Sequence, residues 1–140
     1  MNETPKLLLD THVWVWLMEG SPDLDESARA TVGQSARGGQ LIVAAISVWE
    51  VAMLERKGRL ILSLPPLEWL RKALTAPGIG LSPLSPEIAV EACHLPGALH
   101  KDPADRIIVA TARTESARLM TRDRTIIDYG SRGHLSVVPV

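Results

Sequence analysis

The chain has 140 residues, 46% of them hydrophobic and 22% charged, with a formal net charge of −1 and one cysteine, Cys93. A lone cysteine excludes a disulfide framework and a thiolate zinc site, and it suits the reducing cytoplasm. No apolar run approaches the roughly 20 residues of a membrane-spanning helix, and the opening MNETPKLLLD does not have the order of a signal peptide.

A chain of this length buries about 68–70% of its unfolded surface, enough for a single domain spanning 1–140. Short apolar runs alternate with helical segments along it. Leu7 to Leu9 is the first run and ends at Asp10. Leu41 to Ala44 is the second, a weaker third lies between Ile79 and Leu84, Leu119 to Thr121 is the fourth, and Leu135 to Val138 is the fifth. Unbroken apolar runs suit strands covered on both faces. The intervening segments predict helices over Thr11 to Met18, Asp25 to about Ala36, Ser47 to Lys57, Pro66 to Ala76, Pro86 to Pro96, and Pro103 to about Ala117. Ser47-x-x-Glu50 has the form of a capping box, and Asp102-Pro103 that of a helix start. Strands alternating with helices predict an α/β fold: a three-layer α/β/α sandwich around a mainly parallel sheet of about five strands.

In such a fold ligands bind at the carboxyl ends of the strands. Asp10 ends the first strand, and Asp123 comes two residues after the fourth. Glu50 lies in the first turn of the helix after the second strand, and Asp105 in the first turn of the helix before the fourth. A crossover helix runs antiparallel to its strands, so its N-terminus sits at their C-terminal end. Four acids from distant places therefore converge on one rim. Two carboxylates about 4 Å apart repel by roughly 4 kcal/mol at an effective dielectric near 20. A hard divalent cation removes that repulsion. Mg²⁺ takes a few carboxylates and keeps several waters, which leaves room for a phosphate. Hydrolysis of nucleic-acid phosphodiesters is the chemistry that follows. Singly, each acid has a plainer role as cap, dipole partner or turn residue; Asp10 is the exception, because an acid at the buried end of an apolar strand is costly.

The segments LLLDTHVWVWL, ISVWEVAML, DPADRIIVATA and MTRDRTI resemble, in order and spacing, the four acidic motifs of the PIN-domain ribonucleases, and most closely those of VapC-type toxins. The resemblance runs from Lys6 to about Ile127. It places Asp10, Glu50, Asp105 and Asp123 on the family's acidic positions, with Asp10, Asp105 and Asp123 as metal ligands, and Thr121 on a hydroxyl position that supports the last acid. It leaves open whether Asp102 or Asp105 lies nearer the metal; the helix that follows Asp105 favours Asp105, with Asp102 in a supporting place. What it implies is Mg²⁺ or Mn²⁺ as cofactor, endoribonuclease activity, a homodimer, and inhibition by a cognate antitoxin protein.

Lys101, Arg106, Arg122 and Arg124 flank these acids and are candidates for RNA-backbone contacts. His12 and His100 also lie near the rim, where solvation or packing accounts for them. Val13, Trp14, Trp16, Leu17 and Met18 make the first helix apolar around most of its circumference. One of its faces, continued by Trp49 and Trp69, is therefore expected to remain open for the antitoxin. Three other readings keep acids at strand ends. A receiver-type signalling domain needs an acid pair after the first strand and a late lysine, and no lysine follows Lys101. A haloacid-type phosphatase needs Asp-x-Asp where this chain has Asp10-Thr11-His12. A non-catalytic RNA-binding or interaction module of the same fold would have lost acids, and none is missing.

Overall fold

In the computed structural model, which describes residues 5–140, the apolar runs become β1 (Leu7–Leu9), β2 (Leu41–Ala44), β3 (Ile79–Ser82), β4 (Arg118–Thr121) and β5 (Val137–Pro139). They pair in the order β3-β2-β1-β4-β5, every pair parallel, with Leu8 registered against Ile42 on one side and Leu119 on the other. Met1 to Thr4, the start of the segment read above for a signal peptide, lie outside the described residues.

Seven helices are found among the described residues: α1 (Thr11–Glu19), α2 (Glu26–Arg37), α3 (Ala45–Arg56), α4 (Pro66–Leu74), α5 (Pro86–Cys93), α6 (Pro103–Thr114) and α7 (Arg124–Ser131). The alternation of β1 divides them into two layers. Leu7 and Leu9 face Val13 and Trp14 of α1, Val32 of α2, Val51 of α3 and Trp69 of α4. Leu8 faces the other way, among Ile88 of α5, Ile108 of α6 and Ile126 of α7. Each fully buried leucine of this strand contributes about 1.5–3 kcal/mol of transfer free energy. Helices on both faces of a parallel sheet give the expected α/β/α sandwich. None of the helices is long and apolar enough to cross a membrane.

Three local expectations are corrected. The sequence reading has no helix after β4, yet α7 follows it at once. Its apolar signal is thin, Ile126 and Tyr129 with Gly130 inside the helix. Gly130 is required, because a Cβ there would meet Val137 Cγ2 of β5 at 2.5 Å. The capping box is absent: α3 begins at Ala45 with Ala44 as N-cap and no side-chain cap bond, which puts Ser47 inside the helix and fully buried. The open face of α1 is largely closed. Trp14 is fully buried and meets Trp69 edge-to-face at 5.3 Å, because α1 is covered by the sheet on one side and by α3 and α4 on another. Trp16, Leu17 and Met18 remain half-buried. Of the aromatic residues expected in the groove, Trp49 stands clear, 56% exposed.

Candidate active site

β1 stops where it meets a residue that can cap a helix. Asp10 is the N-cap of α1 and accepts from Thr11 N at 2.8 Å. Its second oxygen accepts from Thr121 Oγ1, at the end of β4, at 2.6 Å. The side chain is nearly closed off, and burial pushes its carboxyl above the ordinary range, against the hydrogen bonds from Thr121 and Thr11 that favour the charged form. Thr121 does double duty, since its Oγ1 also accepts from Asp123 N at 3.0 Å. One hydroxyl thus fixes the acid of β1 and the backbone that carries the acid after β4. Asp123 is the N-cap of α7, accepting from Thr125 N at 2.8 Å and Ile126 N at 3.2 Å.

Because β2 runs straight into α3, Glu50 arrives from the second turn of that helix at the same rim. It accepts from Thr11 Oγ1, which also hydrogen bonds Ser47 Oγ at 2.8 Å. Burial raises the Glu50 carboxyl, and the Thr11 hydrogen bond opposes that rise. Asp102 is the N-cap of α6 and accepts from Asp105 N at 3.0 Å. Asp105 is therefore released from capping and turned toward the other acids. Burial, followed by the charges of Asp10, Asp102, Asp123 and Glu50, pushes its carboxyl up to about 8. His100 Nε2 lies 3.2 Å from Asp105 Oδ2.

Two sets of possible ligand atoms each lie within 4.8 Å of one another: Glu50 with Asp102 and Asp105, and His100 with Asp105 and Asp123. Asp105 belongs to both sets, and Asp102, which is exposed, to one. Asp10 is in neither set, but it is the carboxylate that acts most strongly on Asp105. Donors that are nearly all carboxylate oxygens suit a hard divalent cation, and a carboxyl that burial first and its acidic neighbours second push up to about 8 has no cation beside it to offset either. The residues present fit Mg²⁺ or Mn²⁺.

The acids line a cavity of about 410 Å³ together with Trp16, Lys57, Arg59 and Arg122. A larger cavity, about 720 Å³, opens at the opposite end of the sheet; its one lining carboxylate, Glu91, is tied to Arg113 at 2.9 Å. It has no acid cluster and stands apart from the chemistry.

The four cations proposed from sequence separate. Arg122 lines the acidic cavity. Arg106 does not: its guanidinium holds the carbonyls of Ala92 at 3.0 Å and Leu99 at 3.4 Å, joining α5 and the following loop to α6. Lys101 and Arg124 are exposed and do not line the cavity. Sequence reasoning missed Thr11 and Ser47, whose hydroxyls set the Glu50 carboxylate, and Lys57 and Arg59 on the cavity wall. Ser47 carried a signal that pointed to the wrong role. His100 is not simply solvated or packed, since it pairs with Asp105.

The PIN domain family matches residues 7–131. Ribonuclease VapC22 of Mycobacterium tuberculosis (strain ATCC 25618 / H37Rv) is 36% identical over 120 residues, which are 86% of this chain and 88% of that one. Among solved structures, DNA-bound VapBC from Salmonella typhimurium aligns with a TM-score of 0.68 at 14% identity over 97% of this chain and 98% of that one. A toxin–antitoxin complex from Klebsiella pneumoniae aligns with a TM-score of 0.63 at 18% identity, over 95% and 96%. At these identities the two structures share the fold with this chain.

Proposed function

The chain belongs to the PIN-domain family, and from that premise we propose that it is a metal-dependent endoribonuclease, the toxin of a toxin–antitoxin pair. The observation that carries the reading is the convergence of Asp10, Glu50, Asp102, Asp105 and Asp123 on one cavity. The relationship to a ribonuclease of 36% identity supports the reaction class.

Asp10, Asp105 and Asp123 would hold Mg²⁺ or Mn²⁺, with Asp102 supporting from the rim. When bound, the ion supplies charge neutralisation at the phosphate and a more acidic water. Thr121 and Thr11 hold the two oxygens of Asp10 in fixed directions, so this ligand does not reorganise during the reaction. Glu50, oriented by Thr11, stands beside the ligands as the base that takes the proton of the attacking water. The α6 N-terminus adds its partial positive charge beneath Asp105. The proposed partners are the RNA substrate, a cognate antitoxin and a second copy in a homodimer; the antitoxin is proposed because two solved structures of this fold are such assemblies.

The test is cleavage of single-stranded or looped RNA by metal-stripped protein with and without added Mg²⁺ or Mn²⁺. EDTA is expected to abolish cleavage, and Asp10→Asn and Asp123→Asn to lower it by orders of magnitude while both remain folded. Wild-type rates in both variants, with contaminating nuclease controlled, refute the site.

A further inference from the structure

The cavity that holds the acids is lined by cations as well: Lys57, Arg59 and Arg122. Lys57 is the C-cap of α3, and Arg59 follows two residues later. The helix stops in a Schellman motif: Arg59 N donates to Leu54 O at 2.8 Å, Gly58 N donates to Glu55 O at 3.0 Å, and Gly58 takes the left-handed conformation at φ 73°. Both cations are therefore mounted on a fixed turn. Both are exposed, and among the described residues neither is paired with an acid. None of Lys57, Arg59 and Arg122 forms a salt bridge with Asp10, Glu50, Asp105 or Asp123.

Arg122 differs from the other two cations. Its Nε donates to Val140 O at 3.1 Å and its Nη2 to Asp23 O, and its guanidinium carbon sits 4.4 Å over the Trp16 ring. The side chain remains 46% exposed. It is a planar cation held in one place, its charge partly answered by Asp23 at 3.4 Å. Such a plane, backed by an aromatic ring, is a surface on which a nucleobase stacks.

We propose that Lys57, Arg59 and the Arg122–Trp16 pair form a nucleotide subsite beside the scissile position: Lys57 and Arg59 hold a backbone phosphate of the RNA, and Arg122 on Trp16 carries a base. The inference rests on the ribonuclease reading above and deepens it by naming what holds the strand. Cations in salt bridges with the carboxylates would compete with the metal, whereas Lys57, Arg59 and Arg122 line the same cavity of about 410 Å³ without bridging Asp10, Glu50, Asp105 or Asp123, which leaves both sets of groups to the strand. A lysine and an arginine at a helix C-terminus also answer the helix dipole, and that role alone predicts no effect on RNA.

The experiment measures binding of a fluorescent single-stranded RNA by anisotropy, in Mg²⁺, to the full chain carrying Asp10→Asn, with cleavage followed separately in chains that keep Asp10. Adding Lys57→Ala and Arg59→Ala is expected to raise Kd about tenfold and to flatten the dependence of log K on log salt by about 0.7, the loss of one single-strand phosphate contact. The same pair in the Asp10 chain is expected to raise KM with little change in kcat and to leave Tm in place. Lys57→Arg with Arg59→Lys is expected to restore both Kd and slope. Arg122→Lys keeps the charge but not the plane, so it keeps the salt slope and removes the penalty that wild type shows for an abasic nucleotide in the RNA. An unchanged Kd and slope in the double alanine variant, in a protein whose Asp10 form cleaves RNA, overturns the subsite and leaves the nuclease reading standing. A chain with Asp10 that neither binds nor cleaves RNA overturns both.

Discussion

Replacing Asp105 by Asn should make the metal-free protein more stable, and only above a definite pH. The Asp105 carboxyl titrates at about 8 in the folded chain against an ordinary 3.8. Below 3.8 both folded and unfolded chains carry its proton, and the group has no effect on stability. Between there and about 8 the unfolded chain loses the proton while the folded chain keeps it, so stability falls as pH rises, and the full cost is present above about 8. At about 1.36 kcal/mol for each pH unit of that window, the cost is on the order of 5 kcal/mol. The asparagine removes it. What is lost in exchange is small: the contact with His100, which is partly exposed and worth about 0–1 kcal/mol. The α6 cap belongs to Asp102 and is untouched. Thermal melts in EDTA from pH 5 to 8.5 read the effect. At pH 5 the two proteins should melt close together. At pH 8.5 the variant should melt about 12–15 °C higher, at roughly 3 °C per kcal/mol for a chain of this length. Parallel curves across the range, or a variant below wild type at high pH, would refute the idea that burial and the neighbouring acids oppose a charge on Asp105.

Other expectations follow from the same contacts. Thr121→Val removes the donor to Asp10 and the acceptor for Asp123 N, so it should cost about 1–3 kcal/mol in denaturant melts and reduce RNA cleavage at least tenfold. Trp14→Ala should cost about 3–5 kcal/mol by opening a cavity against Trp69, whereas Trp49→Ala should change stability by no more than about 0.5 kcal/mol. Co-expression with the neighbouring small gene and purification should yield a complex; with the groove reading of Trp14 and Trp69 withdrawn, Trp49→Ala is the variant expected to weaken it, and equal retention would remove Trp49 from that interface. Mn²⁺ at 100 times its Kd should stabilise the wild type by about 2.7 kcal/mol, and Asp105→Asn by clearly less, in matched melts.

The sheet was legible because its strands are buried on both faces and read as unbroken apolar runs; β1, β2 and the start of β3 fall where the sequence places them. The rim position of the four acids was legible too, since it depends on strand ends and helix starts and not on side-chain detail. What escaped the reading depends on contacts between distant segments. Helix α7 has two core residues and a glycine chosen for the approach of β5, so its local pattern is weaker than its tertiary support. Ser47 has the spacing of a cap, but β2 runs into α3 without a break, and only the folded chain puts its hydroxyl against Thr11. Trp14 and Trp69 lie 55 positions apart and bury each other, which no single-helix pattern conveys. Lys57 and Arg59 come to the acidic cavity through the direction of one helix end, and Arg106 is taken from the site by two backbone carbonyls.

The central claim is that these carboxylates exist to hold a divalent cation, and titration calorimetry with Mn²⁺ tests it most directly. At pH 7 Asp105 still carries its proton in the metal-free fold, and a ligating carboxylate must give it up. Binding should therefore release close to one proton, seen as a heat that varies with the ionisation enthalpy of the buffer, and Asp105→Asn should bind more weakly with that release gone. Absence of Mn²⁺ binding to the wild type, or binding by Asp105→Asn with unchanged affinity and unchanged proton release, would contradict the account.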